Sequence, residues 1–227
     1  GTGGASSNFF LDDVEIPGGA GTPSICTPTG GGTATYCSNL TAPLPIPDGN
    51  PTGVSNDIVI PDNITITDLN LLVDASHTWV GDLKFVLERV DSATSTTPID
   101  RPGYTGSGFG CSGNDINATI DDEGTDGNVE TTCLGATPTI AGDLVGGDPP
   151  NNSLLAAYDG MSTQATWRLT VSDNAGGDTG SLNEWCIEVP GGGDPNIYVD
   201  PLSMASTQAT NVQVQQTLTI SNTGGGT

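Results

Sequence analysis

The feature that most limits the folds open to this chain is a series of short segments in which apolar and polar residues alternate. In the segment DLKFVLERV, Leu83, Phe85 and Leu87 share one side of an extended chain, and Lys84 and Glu88 lie on the other. A period of two is typical of a β-strand with one buried face. The later segment TWRLTVS repeats this pattern, whereas a helical period is nearly absent. The pattern therefore predicts strands rather than helices.

The side on which apolar residues fall changes within two of these segments. In NITITDLNLLV the change comes near Thr67–Asp68, and in SLNEWCIEV it comes between Leu182 and Trp185. A one-residue slip turns every side chain to the opposite face, so a β-bulge or bend is expected at each place. Trp167 and Trp185 then both lie on apolar faces, and we expect the two indoles to fill one core.

Frequent turns separate the predicted strands, because the chain holds 33 Gly and 16 Pro among 227 residues. Only LLAAYDGMS (154–162) has room for a helical turn. The fold class is therefore predicted to be all-β, an antiparallel β-sandwich or jelly roll with extra terminal strands.

Composition divides the chain into three predicted parts. Residues 1–41 form a solitary strand (8–17) and a Gly/Thr/Pro-rich linker, and residues 42–190 form the core sandwich. Residues 191–227 form a second linker and the start of an immunoglobulin-like sandwich that is truncated here, or strands that pair with a neighbouring molecule. The opening GTGGASSNFF has neither an initiator Met nor a signal-peptide pattern, which is typical of a processed or excised piece.

The charge balance excludes two classes of partner. Four Lys and Arg residues stand against 27 Asp and Glu residues, which gives a formal net charge of −23. Such a field repels phosphate, so neither nucleic acid nor an anionic membrane surface is an expected partner. No apolar run approaches the roughly 18–20 residues that cross a bilayer, so membrane insertion is not expected.

Five cysteines without a CxxC pair, together with one histidine, favour disulfides over a zinc site and indicate an oxidising compartment. Cys111 and Cys133 flank an acidic loop, and we expect them to pair. Cys37 and Cys186 lie at the first and last strands of the core, which commonly neighbour each other in a jelly roll, and we expect them to pair as well. Cys26 is then left over, although Cys26–Cys37 is an alternative.

Several ordered blocks resemble one family. HTWVGDLKFVLERVDSATSTTPIDRPG (77–103) resembles the P domain, or Homo B domain, that follows the catalytic domain in proprotein convertases and many bacterial secreted peptidases. The blocks 44–60, 110–124 and 154–189 also resemble it, with Ala165 where the family usually has Gly. The matching residues of the first block are His77, Thr78, Trp79, Gly81, Asp82, Leu83, Ile99 and Arg101.

The resemblance implies a secreted, extracellular module without activity of its own. Its expected partner is an adjacent peptidase domain of the same polypeptide, which a P domain supports through folding, stability or substrate contact. The chain holds no GxSxG motif, and His77 lies in the family's structural turn, so no catalytic residue is expected.

Two Gly-rich loops, SDNAGGDTG and DDEGTDG, concentrate carboxylates that repel each other unless a cation compensates them. Calcium binds six to eight oxygens, and P domains that resemble this chain often bind calcium. The alternative is that these acids cap turns by hydrogen bonds. The candidate calcium ligands are Asp82, Asp121, Asp122, Glu123, Asp173 and Asp178.

Two other functions fit the sequence. The terminal strands would suit a structural module of a cell-surface or filament protein that pairs with neighbouring subunits or with an adjacent Ig-like domain. A carbohydrate-binding jelly roll would need exposed aromatic residues, and the candidates are Trp79, Tyr104 and Phe109.

Overall fold

A computed structural model describes residues 33–147, 154–190, 197–200 and 219–222. Two β-sheets face each other and enclose an apolar core, which confirms the predicted all-β sandwich. The strands are β1 (Ala34–Cys37), β2 (Leu44–Ile46), β3 (Val54–Ile60), β4 (Asn70–His77), β5 (Leu83–Arg89), β6 (Thr94–Asp100), β7 (Ile116–Ile120), β8 (Ile140–Leu144), β9 (Ala165–Asp173), β10 (Gly180–Val189), β11 (Ile197–Asp200) and β12 (Thr219–Asn222).

The larger sheet has six strands. Five of them follow the order β1-β10-β4-β7-β8. The sixth, β2, lies on the same side of β10 as β1 and pairs with residues 180–182, whereas β1 pairs with residues 186–189. The smaller sheet has four strands in the order β3-β9-β5-β6. Strands that are distant in sequence therefore lie side by side, as in Greek-key and jelly-roll connections. The long pairs β4–β10 and β5–β9 form the centres of the two sheets.

Alternation of burial follows the alternation in sequence. In β5, Leu83, Phe85 and Leu87 are fully buried, as the pattern predicts. Trp167 on β9 and Trp185 on β10 are also fully buried, one in each sheet, so both indoles fill the same core. Burial of aromatic side chains of this size stabilises the sandwich by a few kcal/mol each.

Both predicted changes of parity correspond to breaks in the strand pattern. The pairing of β10 with β4 shifts register between Leu182 and Glu184, which confirms the expected irregularity. At Thr67–Asp68 the chain bends before β4 begins, so Ile66 and Leu69 are both buried on the two sides of the bend. The segment 154–162 contains one 3₁₀ turn, Leu155–Tyr158.

Two features differ from the sequence prediction. Strands β7 and β8 pair in parallel, because the intervening residues 121–139 are long enough to return the chain to the same end of the sheet. The sandwich also starts before residue 42, since β1 pairs with β10 along Ala34↔Val189 to Cys37↔Cys186.

Strands β11 and β12 pair with each other in antiparallel fashion, within the region where the sequence predicted additional strands.

Two disulfides join the cysteine pairs expected from the sequence. Cys37–Cys186 connects β1 to β10, and Cys111–Cys133 closes a loop with a sequence separation of 22. Their presence fits an oxidising compartment. Cys26 and the predicted strand 8–17 lie outside the described residues. Where the chain is described, it contains no helix with the length and apolar character needed to span a bilayer.

Candidate functional site

Strand β4 separates two groups of carboxylates at opposite ends of the larger sheet. Asp68 lies just before β4 and Asp82 lies just after it. A strand of eight residues spans roughly 26 Å, so the two groups are independent sites. Because β7 runs antiparallel to β4, Asp121 follows β7 at the same end as Asp68.

The first group, the Asp68 cluster, consists of Asp68, Asp121 and Glu123. One carboxylate oxygen from each of these residues lies within 4.8 Å of the other two. Burial raises the pKa of the Asp68 carboxyl above its ordinary value, and the negative charge of Asp121 raises it further. A hydrogen bond with Asp121 is the main cause that raises the pKa of Glu123. Three carboxylates at this separation repel one another unless a cation compensates their charge.

The chain's own cations do not neutralise this cluster. All four of its Lys and Arg residues belong to the smaller sheet or to the loop after β6, and each has another partner. Those contacts are Lys84 with Asp100, Arg89 with the carbonyls of Ser162 and Gln164, Arg101 with Asp82, and Arg168 with Asp57. Three convergent carboxylates without a basic neighbour are suited to a hard divalent cation.

Asp122, which the sequence also placed among the candidate ligands, points elsewhere. Its carboxylate accepts hydrogen bonds from the backbone N–H groups of Leu155 at 3.3 Å and Ala156 at 2.8 Å. Burial raises the pKa of Asp122, and these two hydrogen bonds act in the opposite direction. Asp122 therefore caps the 3₁₀ turn, which is the structural role that the sequence left open for these acids.

The second group, the Asp82 cluster, consists of His77, Asp82, Arg101 and Asp173. His77, Asp82 and Asp173 are buried, with at most 2% of each residue exposed. The Arg101 guanidinium lies 3.5 Å from the Asp82 carboxylate, and His77 Nε2 lies 3.4 Å from the Asp173 carboxylate. Burial and the charge of Asp173 raise the pKa of Asp82, which Arg101 partly offsets.

Backbone contacts hold the loop after β9 against this cluster. The Asn174 backbone N–H donates to the Asp82 carbonyl at 2.8 Å, and the Ala175 N–H donates to an Asp173 carboxylate oxygen at 3.1 Å. Asp178 lies nearer the surface, where it accepts a hydrogen bond from the Thr78 hydroxyl at 2.8 Å. Asp82, Asp173 and Asp178 thus each have a protein partner, although the buried Asp173 Oδ2 and the His77 Nε2 that faces it make no hydrogen bond.

The polar contacts of the His77 ring among the described residues are to the backbone of Trp79 and to a carboxylate. Its Nδ1 lies 2.8 Å from the Trp79 carbonyl oxygen, and its Nε2 faces Asp173. Within the described ranges neither ring nitrogen contacts a hydroxyl or a thiol, which a Ser or Cys triad requires. The histidine fixes the turn that leads from β4 to Asp82.

The structure regroups the candidate ligands. It brings Asp121 and Glu123 together, places Asp82 and Asp173 at the other end of β4, and adds Asp68, which the sequence reading did not propose. The signal that could have found Asp68 is the change of parity at Thr67–Asp68, because a bend at a strand start turns a polar side chain toward the neighbouring loop.

Neither a protein-family model nor a curated protein sequence matches the chain. Among solved structures, the chain is similar to a serine protease of Aeromonas sobria in complex with its chaperone, with 16% identity and a TM-score of 0.40. A second structure, of the serine protease of Aeromonas sobria, has 17% identity and the same TM-score. Each match covers 69% of this chain and 26% of the other, so the chain spans about a quarter of the length of those structures.

Proposed function

We propose that this chain is a non-catalytic, secreted, P-domain-like module that binds structural calcium at the Asp68 cluster and supports an adjacent peptidase domain. The observation that carries the calcium assignment is the convergence of three carboxylate oxygens within 4.8 Å, away from every Lys and Arg of the chain. A calcium ion there would neutralise Asp68, Asp121 and Glu123 and would hold the loop after β7 against the start of β4. Calcium would take its remaining oxygens from backbone carbonyls or water.

The accessory role is supported by the sequence blocks that resemble a P domain, HTWVGDLKFVLERVDSATSTTPIDRPG above all. The two disulfides support secretion. In this role the two-sheet core provides a stable body, and the loops at its ends contact the neighbouring domain.

Thermal unfolding with added calcium and with a chelator tests the metal assignment. A ligand that binds only the folded state stabilises it by about 2.7 kcal/mol at one hundred times its Kd, so we expect calcium to raise Tm by several degrees. Glu123→Gln should remove most of this increase. Glu184→Gln is the matched control, since Glu184 is also exposed but lies on β10, away from the Asp68 cluster. Equal calcium responses in the two variants would show that the ion binds elsewhere.

Two further experiments test the accessory role. The purified chain should not hydrolyse an unstructured protein substrate, and a hydrolysis rate that follows the chain through purification would contradict the proposal. The coding sequence on either side of this chain should encode a peptidase domain. A different kind of neighbouring domain would overturn the peptidase assignment and would leave the calcium assignment intact.

A further inference from the structure

The end of the sandwich that carries the Asp82 cluster also presents aromatic side chains on its surface. Phe109 is 64% exposed, and Trp79 is partly exposed beside it. The two rings meet edge to face, with centroids 6.4 Å apart. Tyr104 is also partly exposed, but the Arg101 guanidinium lies 3.9 Å from the centre of its ring and occupies one face. The Trp79–Phe109 pair is thus the more accessible aromatic surface.

The position of the Trp79–Phe109 pair is fixed by its backbone contacts. The Trp79 indole N–H donates to the Phe109 carbonyl at 2.7 Å. The Gly81 N–H donates to the Cys111 carbonyl at 2.9 Å, and a side chain at Gly81 would collide with the Phe109 carbonyl. The turn after β4 and the loop before Cys111 are therefore in close backbone contact. A surface that is already ordered loses little conformational entropy when a ligand binds.

An uncharged cleft adjoins this pair. Its walls are residues 112–114 and 133–137, most of which are exposed, and it is a shallow, open depression of about 510 Å³. The Cys111–Cys133 disulfide joins the two walls, and the Val80 N–H donates to the Gly113 carbonyl at 3.1 Å, which places the cleft next to the Trp79 turn. Leu134, 48% exposed, lies at the rim.

The lining of the cleft defines the chemistry of a ligand. None of the lining residues is charged, although the chain as a whole has a formal net charge of −23. Ser112, Asn114 and Thr137 supply hydroxyl and amide groups, which donate and accept hydrogen bonds without charge. The surrounding field repels anions. A neutral ligand with many hydroxyl groups and apolar C–H faces fits this lining.

We propose that the cleft and the Trp79–Phe109 pair together bind an uncharged carbohydrate. The aromatic rings pack against the C–H face of a sugar ring, and the cleft residues bond its hydroxyl groups. A stable protein interface covers about 800 Å² on each partner, whereas Phe109 and Leu134 are the only large apolar side chains strongly exposed at this end among the described residues. The apolar area suits a small ligand better than a protein surface.

The test uses the whole chain on an array of neutral and anionic oligosaccharides, followed by calorimetry with the best neutral one. We expect retention of neutral oligosaccharides, and we expect Phe109→Ala to weaken binding about tenfold, the scale of one lost aromatic contact. Val59→Ala is the matched control, because Val59 is 65% exposed on β3 and should leave binding unchanged. Ser112→Trp should fill the cleft and abolish binding. Equal Tm values for the variants confirm that they fold.

Four outcomes would overturn the proposal. Two come from the array: no retention of any neutral oligosaccharide, or retention of anionic ones only. The third is an equal affinity of Phe109→Ala and Val59→Ala for the sugar, and the fourth is a protein ligand that needs Phe109 while no sugar binds. The calcium experiment measures the response of Tm to the ion, whereas the carbohydrate experiment measures retention on the array and its dependence on Phe109. Failure of the calcium assignment is therefore distinguishable from failure of the carbohydrate assignment.

Discussion

The Trp185 indole N–H donates a hydrogen bond to the Asn56 side-chain oxygen at 2.8 Å, and this bond joins the two sheets of the sandwich. Trp185 lies on β10 of the larger sheet and Asn56 lies on β3 of the smaller one. The indole itself is fully buried. A buried aromatic residue with a polar tip needs a partner for that tip, and the opposite sheet supplies it.

Asn56→Ala should lower the free energy of unfolding by about 1–3 kcal/mol, because it leaves a buried N–H without an acceptor. The measurement is urea unfolding followed by tryptophan fluorescence. Asn39→Ala is the control, since Asn39 is exposed and its loss should change stability by less than about 0.5 kcal/mol. Similar losses in both variants would show that the bond between the sheets contributes little.

Tyr158 should ionise only at very high pH. Burial raises the pKa of its phenol to about 12, and the hydroxyl donates to the Leu87 carbonyl at 2.7 Å. In the unfolded chain the phenol ionises near pH 10. Its contribution to stability is therefore complete below pH 10 and is lost as pH rises toward 12.

The ultraviolet absorbance of phenolate, recorded for the native protein and for Tyr158→Phe, tests this prediction. The difference between the two titrations isolates Tyr158, and its midpoint should lie near pH 12. A midpoint near pH 10 would show that water reaches the hydroxyl in the folded state.

Arg101→Met should be far more destabilising than Arg168→Met. Asp82 is buried, and removal of Arg101 leaves its charge uncompensated at a cost of about 3 kcal/mol. Arg168 pairs with Asp57 at the surface, where solvent screens the lost interaction. Chemical unfolding at neutral pH should separate the two variants.

The Arg101→Met loss should also depend on pH. Burial already raises the pKa of Asp82, and loss of Arg101 raises it further. A carboxyl with a raised pKa in the folded state stabilises at low pH and loses that stabilisation as pH rises. The variant should therefore recover stability on acidification, whereas a loss that stays constant with pH would indicate a packing defect.

The two disulfides should contribute unequally. The chain-entropy estimate gives about 5 kcal/mol for Cys37–Cys186, with a sequence separation of 149, and about 3 kcal/mol for Cys111–Cys133, with a separation of 22. Double Cys→Ala variants compared by urea unfolding test the ranking. A smaller loss for the Cys37–Cys186 variant would show that the unfolded chain retains contacts between its ends.

The metal-free chain should become more stable when pH falls from neutral toward the range in which carboxyls protonate. The pKa values of Asp68, Asp122 and Glu123 are all raised, so the folded state binds protons more readily than the unfolded state. Saturating calcium should remove the share of this gain that comes from Asp68 and Glu123, since protons and the ion compete for the oxygens of those two residues. Thermal melts across pH, with and without calcium, provide the measurement.

The sequence predicted the fold well because strand parity is a local signal. The alternation in β5 and β9 and the shift between Leu182 and Glu184 all appear in the structure as expected. The parallel pairing of β7 with β8 was not predictable, since it depends on where a 19-residue connection leads the chain. The amino-acid composition of residues 121–139 does not indicate at which end of the sheet β8 begins.

The site was less predictable because ligands depend on contacts between distant segments. Asp121 and Glu123 belong to one loop, but Asp68 joins them only through the pairing of β4 with β7. Asp122 is adjacent in sequence to both and points to a different element. Side-chain direction within an irregular loop has no fixed period, so neighbouring acids can perform unrelated tasks.

The Cys37–Cys186 bond has a mechanical consequence. The polypeptide enters through β1 and leaves through β10, and the disulfide joins these two strands directly. Tension applied to the backbone before β1 and after β10 would pass through this covalent link and bypass residues 38–185. Those residues would therefore carry little of the load, and the loops at both ends of the sandwich would keep their shape under stretching.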